Sequence, residues 1–222
     1  MKVLVFGATG MVGQGVLREC LLDGGVGAVL AVGRSPTGQT DRKVREIVQQ
    51  NLFDVSNIAD QLTAFDACFF CLGVSSIGMS EAEYAHLTYD LTIGIAQTLV
   101  ERNPGMIFIY VSGMGTDSTE QGRSMWARVK GRTENALLRL PFKSACMFRP
   151  GYIQPLHGIR AKTRLYRVMY ALAGPLFPLW KRLFPKYVTT TEQVGRAMIA
   201  VARHGTEKRI LESRDIAELG GP

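Results

Sequence analysis

The 222-residue sequence has little cysteine, and its four cysteines are Cys20, Cys68, Cys71 and Cys146. We expect them to be buried, reduced thiols in a cytoplasmic protein. Cys68 and Cys71 have the C-x-x-C spacing, but they lie in the strand-like run 67–72. A redox pair needs a helix N-terminus to lower a thiol pKa, and a strand offers none. No cluster of Cys, His and acidic residues has the spacing of a metal site.

Long apolar runs are also missing. The longest uncharged apolar stretch of the C-terminal half, residues 168–180, contains Gly174, Pro175 and Pro178 and is too short and too broken to cross a bilayer. The N-terminal apolar run is interrupted at Gly7, so we expect no signal peptide.

Acidic residues are absent from residues 135–191, which carry ten lysines and arginines. Residues 1–134 carry 11 basic and 14 acidic residues, and the last 31 carry five of each. Three interpretations of the basic segment remain open: it binds an anionic substrate, residues 160–187 rest on anionic lipid, or it is a solvated face with an apolar stripe packed inward. Nucleic acid is disfavoured, because no recognition motif is present and residues 1–134 are net acidic.

Apolar runs alternate with helical patterns along the chain. They predict strands at 2–6, 28–33, 44–50, 65–72, 105–112 and 143–149, and helices at 11–23, 56–63, 80–102, 124–140 and 192–203. This alternation indicates right-handed crossovers and an α/β fold with a doubly wound parallel sheet. We expect one domain over residues 1–222, in which residues 151–190 form a small C-terminal helical lobe on the substrate side.

The first predicted strand runs directly into a glycine loop and then a helix. The loop reads Gly7-Ala8-Thr9-Gly10-Met11-Val12-Gly13. A glycine permits the tight turn at Gly7, lets the backbone approach a pyrophosphate at Gly10, and lets the helix pack on the strand at Gly13. The free N–H groups and the positive dipole end of that helix supply an anion site. We therefore predict a dinucleotide site of the Rossmann type, contacted by Gly7, Thr9, Gly10, Met11, Val12 and Gly13.

The loop and the order of elements resemble the short-chain dehydrogenase/reductase superfamily over nearly the whole chain. The resemblance is closest to its atypical, extended-type branch, which includes the HIV Tat-interacting protein and NAD-dependent epimerase-like proteins. Further matching segments are Phe70-Cys71-Leu72-Gly73, Tyr110-Val111-Ser112-Gly113, Lys130-Gly131-Arg132-Thr133-Glu134 and Phe148-Arg149-Pro150-Gly151.

The second predicted strand bears on the choice of cofactor. It ends at Gly33-Arg34-Ser35, without the acid that usually takes the ribose 2′-hydroxyl of NAD. A guanidinium pairs well with a 2′-phosphate, so Arg34 favours NADP over NAD, unless it is only a solvated surface residue. Asp54, which follows the third strand, either accepts the adenine amino proton or is only a loop acid. The further expected contacts are Leu72 and Gly73 near the nicotinamide ribose and, from the resemblance, Arg149 and Gly151 at the nicotinamide end.

The active-site motif departs from the family. Working members carry Tyr-x-x-x-Lys, whereas this chain reads Trp126-Ala127-Arg128-Val129-Lys130. Lys130 still has the spacing to reach the ribose, but the indole of Trp126 does not ionise in a useful pH range. The resemblance places Ser112 at the catalytic serine, where it would orient a carbonyl; a serine satisfied by backbone is the alternative. Candidate substitute acids are Tyr84, Tyr89, Tyr110 and Tyr152.

These observations predict an NADP(H)-binding oxidoreductase or epimerase-like protein with Ser112, Trp126 and Lys130 in its active site. The alternative is a non-catalytic dinucleotide-binding redox sensor in which Trp126 caps the nicotinamide pocket. The sequence is compatible with a small-molecule substrate and with assembly into an oligomer.

Overall fold

The computed structural model describes residues 1–159 and 187–221. The strands are β1 Lys2–Phe6, β2 Ala28–Gly33, β3 Val44–Val48, β4 Ala67–Phe70, β5 Ile107–Val111, β6 Ser144–Arg149, β7 Tyr152–Gln154, β8 Val188–Thr190 and β9 Ile210–Glu212. The helices are α1 Met11–Leu22, α2 Glu81–Ala85, α3 Leu91–Arg102, α4 Met125–Arg139, α5 Thr191–His204 and α6 Ser213–Gly220. A 3-10 helix spans Ser56–Leu62.

Seven strands form one parallel sheet in the order β3-β2-β1-β4-β5-β6-β9. The chain winds outward from β1 through β2 to β3 and returns to the other side of β1 at β4. One apolar core packs α1, α5 and α6 on one face of the sheet, and a second packs α3, α4 and the 3-10 helix on the other. The predicted doubly wound α/β fold is confirmed. Its ligand crevice lies where the strand order reverses, at the carboxyl ends of β1 and β4.

The structure differs from the predicted elements in two respects. The helix predicted at 80–102 begins with a capping box at Ser80 and Glu83, but a π-helical turn at His86–Asp90 divides it into α2 and α3. The short strands β7, β8 and β9 are absent from the prediction, because three-residue strands carry almost no periodicity signal. The eight-residue helix α6 is also absent from the prediction. Of the predicted lobe, β7 and β8 pair in parallel, whereas the basic segment 160–186 lies outside the described residues.

The four cysteines are free thiols, and three of them, Cys20, Cys68 and Cys146, are buried. Burial raises the pKa of Cys71 to about 12 and that of Cys68 well above its ordinary value. Both thiols of the C-x-x-C pair are therefore protonated at neutral pH; Cys68 lies in β4, and Cys71 directly follows it. Within the two described ranges, no helix is long and apolar enough to cross a membrane.

Two helix-interior glycines predict opposite responses to alanine. A Cβ on Gly131 in α4 would overlap the Asp117 carbonyl oxygen, because the loop after β5 lies directly on this helix. A Cβ on Gly94 in α3 would meet no atom within 4 Å.

We expect Gly131→Ala to lower the free energy of unfolding by about 1–3 kcal/mol through overpacking. The matched control, Gly94→Ala, should raise it by about 0.5–1 kcal/mol through helix propensity. Urea unfolding of both variants measures the difference. Equal stabilities of the two variants would contradict the described packing of the 113–124 loop on α4.

Candidate functional site

The glycine loop joins β1 to α1 at the reversal point of the sheet. Gly7 has a φ of 80°, and a Cβ there would lie 2.9 Å from the backbone of Cys71 and Leu72. A Cβ on Gly13 would overlap the Gly7 carbonyl oxygen. Two of the three glycines are therefore required by packing alone, because they let α1 and the β4 loop close on the turn.

Gly10 serves a different purpose. It is the N-cap of α1, and a Cβ there would meet one neighbouring atom within 4 Å, the Gly7 carbonyl oxygen at 3.3 Å. In the part of the chain that the structure describes, no side chain caps this helix end, and its first turn holds no acid. The first N–H groups of a helix lack intrahelical partners. The half-buried Met11 and Val12 and the buried Gly13 therefore present backbone donors and the positive end of the helix dipole to an anion.

The loop after β4 forms the opposite wall of this crevice. Leu72 is half-buried, and its backbone nitrogen lies within 2.9 Å of the position that a Gly7 Cβ would take. Gly73 is exposed, and a Cβ there would meet nothing within 4 Å. The structure thus brings Leu72 beside the glycine loop, with open space at Gly73.

The end of β2 adds an exposed cation to the crevice. Arg34 follows β2 directly and is exposed, and its carbonyl accepts a hydrogen bond from Gln50 Nε2 at 3.1 Å. A cleft of about 460 Å³ opens next to it, lined by Ala8 and Thr9 of the loop, by α1, by residues 35–39 and by residues 157–159. Arg34 therefore stands one residue from a cleft that continues from the glycine loop.

Asp54 lies in the loop after β3, where its carboxylate accepts a hydrogen bond from the Ser56 backbone N–H at 2.9 Å. Hydrogen bonding to Ser56 lowers the pKa of this exposed carboxyl. The side chain thus initiates the 3-10 helix and is ionised at neutral pH. Its predicted contact with the adenine stays a prediction.

Lys130 and Trp126 lie one turn apart on α4, as their spacing predicts. Lys130 Nζ donates a hydrogen bond to the carbonyl oxygen of Ser112 at the end of β5. Burial lowers the pKa of Lys130 to about 8, although nearby Glu134 acts in the opposite direction. Trp126 is half-buried, and its ring atom Cη2 lies 3.4 Å from where a Gly115 Cβ would be.

Ser112 has a placement that differs from the expected carbonyl-orienting role. Its side chain is buried, and its hydroxyl donates to Glu134 Oε1 at 2.5 Å, close to the Phe148 carbonyl oxygen at 3.1 Å. The structure therefore turns this hydroxyl into the protein and away from a ligand. The next residue, Gly113, has a φ of 147°, and a Cβ there would lie 3.8 Å from Lys130 Nζ. Position 113 faces the lysine but carries no side chain.

Arg149 is likewise drawn inward rather than toward a cofactor. Its Nε donates to both carboxylate oxygens of Glu134, at 3.0 and 3.2 Å, and its Nη2 donates to Glu134 and to Ser118 Oγ. Glu134 is fully buried, and Arg149 is 9% exposed. This bidentate pair joins α4 to β6 and leaves the guanidinium no free edge for the nicotinamide end.

Gly151 is required for a reason that the sequence does not reveal. A Cβ there would lie 2.5 Å from the Tyr187 carbonyl oxygen and 3.3 Å from Met114 Sδ. Its N–H donates to Ser213 Oγ at 2.6 Å. The glycine therefore lets the segments that contain Met114, Tyr187 and Ser213 pack closely against the chain after β6. Its contact with a cofactor stays a prediction.

The candidate tyrosines differ in exposure. Tyr84 and Tyr110 are buried, and burial raises the pKa of Tyr110 above its ordinary range. Tyr89 is half-buried, and the Arg132 guanidinium lies 4.0 Å from its ring centre. Tyr152 donates to Gln154 Oε1 at 2.8 Å. The structure thus keeps Tyr84 and Tyr110 away from any solvent-accessible ligand.

Exposed apolar side chains line the loops at the carboxyl ends of the strands. Ile77 and Val74 follow β4 and are 71% and 38% exposed, and Met114 follows β5 and is 45% exposed. These three residues, which we call the apolar rim, therefore lie at the end of the sheet where the crevice opens. Across the described residues, no group of three or more His, Cys, Asp and Glu side chains could hold a metal ion.

The geometry fits a dinucleotide: an uncapped helix end after β1, a glycine whose missing side chain leaves space, and a lysine at the end of β5, two strands away in the sheet. A family model described as NAD(P)H-binding matches residues 7–137, more than half of the chain. The chain belongs to this NAD(P)H-binding family. The matched range contains the glycine loop, Arg34, Lys130 and Glu134.

Relatives and solved structures agree with membership of this NAD(P)H-binding family. Protein FMP52, mitochondrial, of Eremothecium gossypii is 25% identical and covers 99% of this chain and 97% of its own length. A short chain dehydrogenase family protein of Francisella tularensis has a TM-score of 0.66 at 15% identity, covering 92% of this chain and 91% of its own. MoeE5 in complex with UDP-glucose and NAD has a TM-score of 0.68 at 18% identity, covering 99% and 81%.

The fold of this NAD(P)H-binding protein is that of the short-chain dehydrogenases and epimerases. These findings support that family and not the narrower resemblance to the Tat-interacting protein. The expectation of a cytoplasmic location is wrong: four high-coverage relatives are named mitochondrial proteins. Reduced cysteines therefore do not indicate a cytoplasmic location for this protein.

The phosphate role of the glycine loop can be tested at Gly10. We expect Gly10→Val to abolish binding of NADPH and NADH, because the branched side chain occupies the space in front of the helix N–H groups. The turn is at the surface, so the fold should persist.

Nucleotide fluorescence titration measures binding, and far-UV circular dichroism measures folding. A folded Gly10→Val protein with unchanged cofactor affinity would show that the pyrophosphate does not bind at this loop.

Proposed function

We propose that this protein is an NADP(H)-dependent reductase of the short-chain dehydrogenase type that reduces a small carbonyl compound. The observation that carries the proposal is the conjunction of the uncapped α1 end with Lys130, whose Nζ lies at the end of β5. The first group binds the pyrophosphate, and the second binds the nicotinamide ribose. The apolar rim formed by Val74, Ile77 and Met114 supports an apolar carbonyl substrate rather than a charged one.

The preference for NADP rests on the end of β2. Arg34 is exposed beside the cleft, and Ser35, which follows it, lines that cleft. A guanidinium in this place pairs with the 2′-phosphate that distinguishes NADP from NAD. The MoeE5 complex contains NAD, so the family fold by itself does not discriminate between the two cofactors.

The chain's own groups then have separate tasks. The backbone N–H groups of Met11, Val12 and Gly13 hold the pyrophosphate, and Lys130 orients the ribose. Reduced nicotinamide supplies the hydride when it is bound. The buried Glu134–Arg149 pair holds α4 against β6 and so keeps Lys130 in place.

A second function is favoured by Trp126, which stands where family enzymes have an ionisable tyrosine. An indole N–H does not serve as an acid. In this alternative the protein binds the dinucleotide without turnover, Trp126 covers the nicotinamide pocket, and a partner protein senses the bound state. We propose a mitochondrial location in either case, supported by the names of the relatives. The basic segment 160–186, with its proposed anionic substrate or lipid contact, lies outside the described residues.

The cofactor preference can be tested by removing the Arg34 charge. We expect Arg34→Ala to weaken NADPH binding about ten-fold or more and to leave NADH binding nearly unchanged, because a charge-assisted hydrogen bond contributes about 1.5–3 kcal/mol. Arg42→Ala is the matched control: it removes an exposed arginine that precedes β3, at the amino-terminal end of the parallel strands, whereas Arg34 lies at their carboxyl end.

Fluorescence titration with both nucleotides gives the four affinities. Equal affinity of the unmodified protein for NADPH and NADH would refute the preference.

The reductase and sensor functions can be separated at Trp126. The indole of Trp126 supplies no proton, and a well-placed general acid contributes about 10²–10⁴-fold, so the unmodified protein should reduce ordinary carbonyl compounds more slowly than a variant with tyrosine at this position. We expect Trp126→Tyr to increase NADPH-dependent reduction of a permissive ketone or quinone about 10²-fold. Trp126→Phe creates nearly the same space without the hydroxyl and should not.

Steady-state NADPH oxidation at 340 nm measures these rates. Turnover of about 1–10³ s⁻¹ by the unmodified protein would show that a residue other than Trp126 supplies the proton, and it would eliminate the sensor function.

A further inference from the structure

The groups that would supply a proton beside Lys130 are engaged elsewhere in the described structure. The Ser112 hydroxyl donates to the buried Glu134, and residue 113 is glycine. Trp126 occupies the position of the family tyrosine and has no acidic proton. Tyr110 and Tyr84 are buried. None of the hydroxyls at these positions is therefore placed to supply the proton.

Lys130 is placed to be that group. One N–H of its ammonium donates to the Ser112 carbonyl, and an ammonium has three such donors. The absent side chain at Gly113, whose Cβ would lie 3.8 Å away, leaves the approach to Nζ open. The Glu134 carboxylate is already taken by Arg149 and Ser112, so it does not form an ion pair with the lysine.

We propose that Lys130 Nζ itself donates the proton to the substrate oxygen, in addition to orienting the ribose. This inference rests on the proposed reductase function. The carbonyl carbon receives the hydride of the reduced dinucleotide, the C=O π pair moves to oxygen, and the oxygen takes a proton from the Lys130 ammonium. The neutral amine then regains a proton from water, so the step balances without a further reactant.

The electrostatic surroundings support this assignment. Burial lowers the pKa of Lys130 to about 8, while Glu134, one turn further along α4, opposes the shift. The other charged groups near Lys130 come from β6 and β9. Arg149 of β6 forms an ion pair with Glu134, and the Glu212 carboxylate of β9 lies 3.6 Å from Nη1 of Arg149. An acid with this pKa holds its proton at pH 7 and releases it easily, which suits general acid catalysis near neutral pH. Proton donation is therefore lost as the pH rises through about 8.

The lysine can be observed without any turnover. The chain contains eight lysines, so reductive ¹³C-methylation of the full-length protein gives few dimethyl-lysine NMR signals. The signal missing from Lys130→Arg identifies Lys130. We expect it to titrate near pH 8. Titration above pH 10 would overturn the proposal.

Turnover and binding complete the test. Lys130→Arg keeps the charge but holds its proton too tightly to donate it. We expect this variant to bind NADPH within about three-fold of the unmodified protein and to reduce an apolar quinone about 10²-fold more slowly. The kcat of the unmodified protein should fall above pH 8. Lys43→Arg is the matched control and should change neither quantity. Lys43 lies far from the candidate site, because its Nζ donates to the carbonyl oxygens of Leu21 and Asp23 at the C-terminal end of α1.

The outcomes distinguish the two levels of the proposal. Unchanged turnover by Lys130→Arg would overturn Lys130 as proton donor and leave the proposed reductase function standing. A protein that binds NADPH and reduces no carbonyl compound would overturn the reductase function, and this inference with it, and leave only cofactor binding standing. Failure of the unmodified protein to bind NADPH would instead overturn the proposed function, and this inference with it.

Discussion

The close approach of α1 to the end of β1 is the constraint on which the rest of the site depends. Gly13 lies so tightly against the Gly7 carbonyl that a Cβ would overlap it, and a Cβ on Gly7 would lie 2.9 Å from the backbone of the loop after β4. This packing directs the uncapped end of α1 into the crevice where the strand order reverses. Without it, the helix N–H groups would not converge on one point, and a pyrophosphate would have no preorganised site.

A second, buried interaction fixes the other half of the site. The Glu134–Arg149 pair joins α4 to β6, and Glu134 also accepts the Ser112 hydroxyl at the end of β5. Removing one partner of such a pair typically costs about 3–5 kcal/mol, because the other charge stays buried. The network holds the Ser112 carbonyl that Lys130 contacts. Residues that resemble catalytic or cofactor-binding groups in the sequence thus serve here to position the lysine.

The sequence predicts the fold well and the site only in part. Strands such as Lys2–Phe6 and the glycine loop have strong local signals, since buried strands are apolar and tight turns need glycine. Lys130 and Trp126 lie together because helical spacing is a local property. The inward placement of Ser112 and Arg149 depends on Glu134, 22 and 15 residues away along the chain. Side-chain pairing between distant elements has no local pattern, so residue type alone could not reveal it.

The most direct measurement of the central claim is a crystal structure of the protein soaked with NADPH. The account predicts the pyrophosphate at the N–H groups of residues 11–13, the 2′-phosphate beside Arg34 and the nicotinamide ribose within hydrogen-bond distance of Lys130 Nζ. A dinucleotide bound away from the α1 N-terminus, or with its nicotinamide end remote from Lys130, would contradict it.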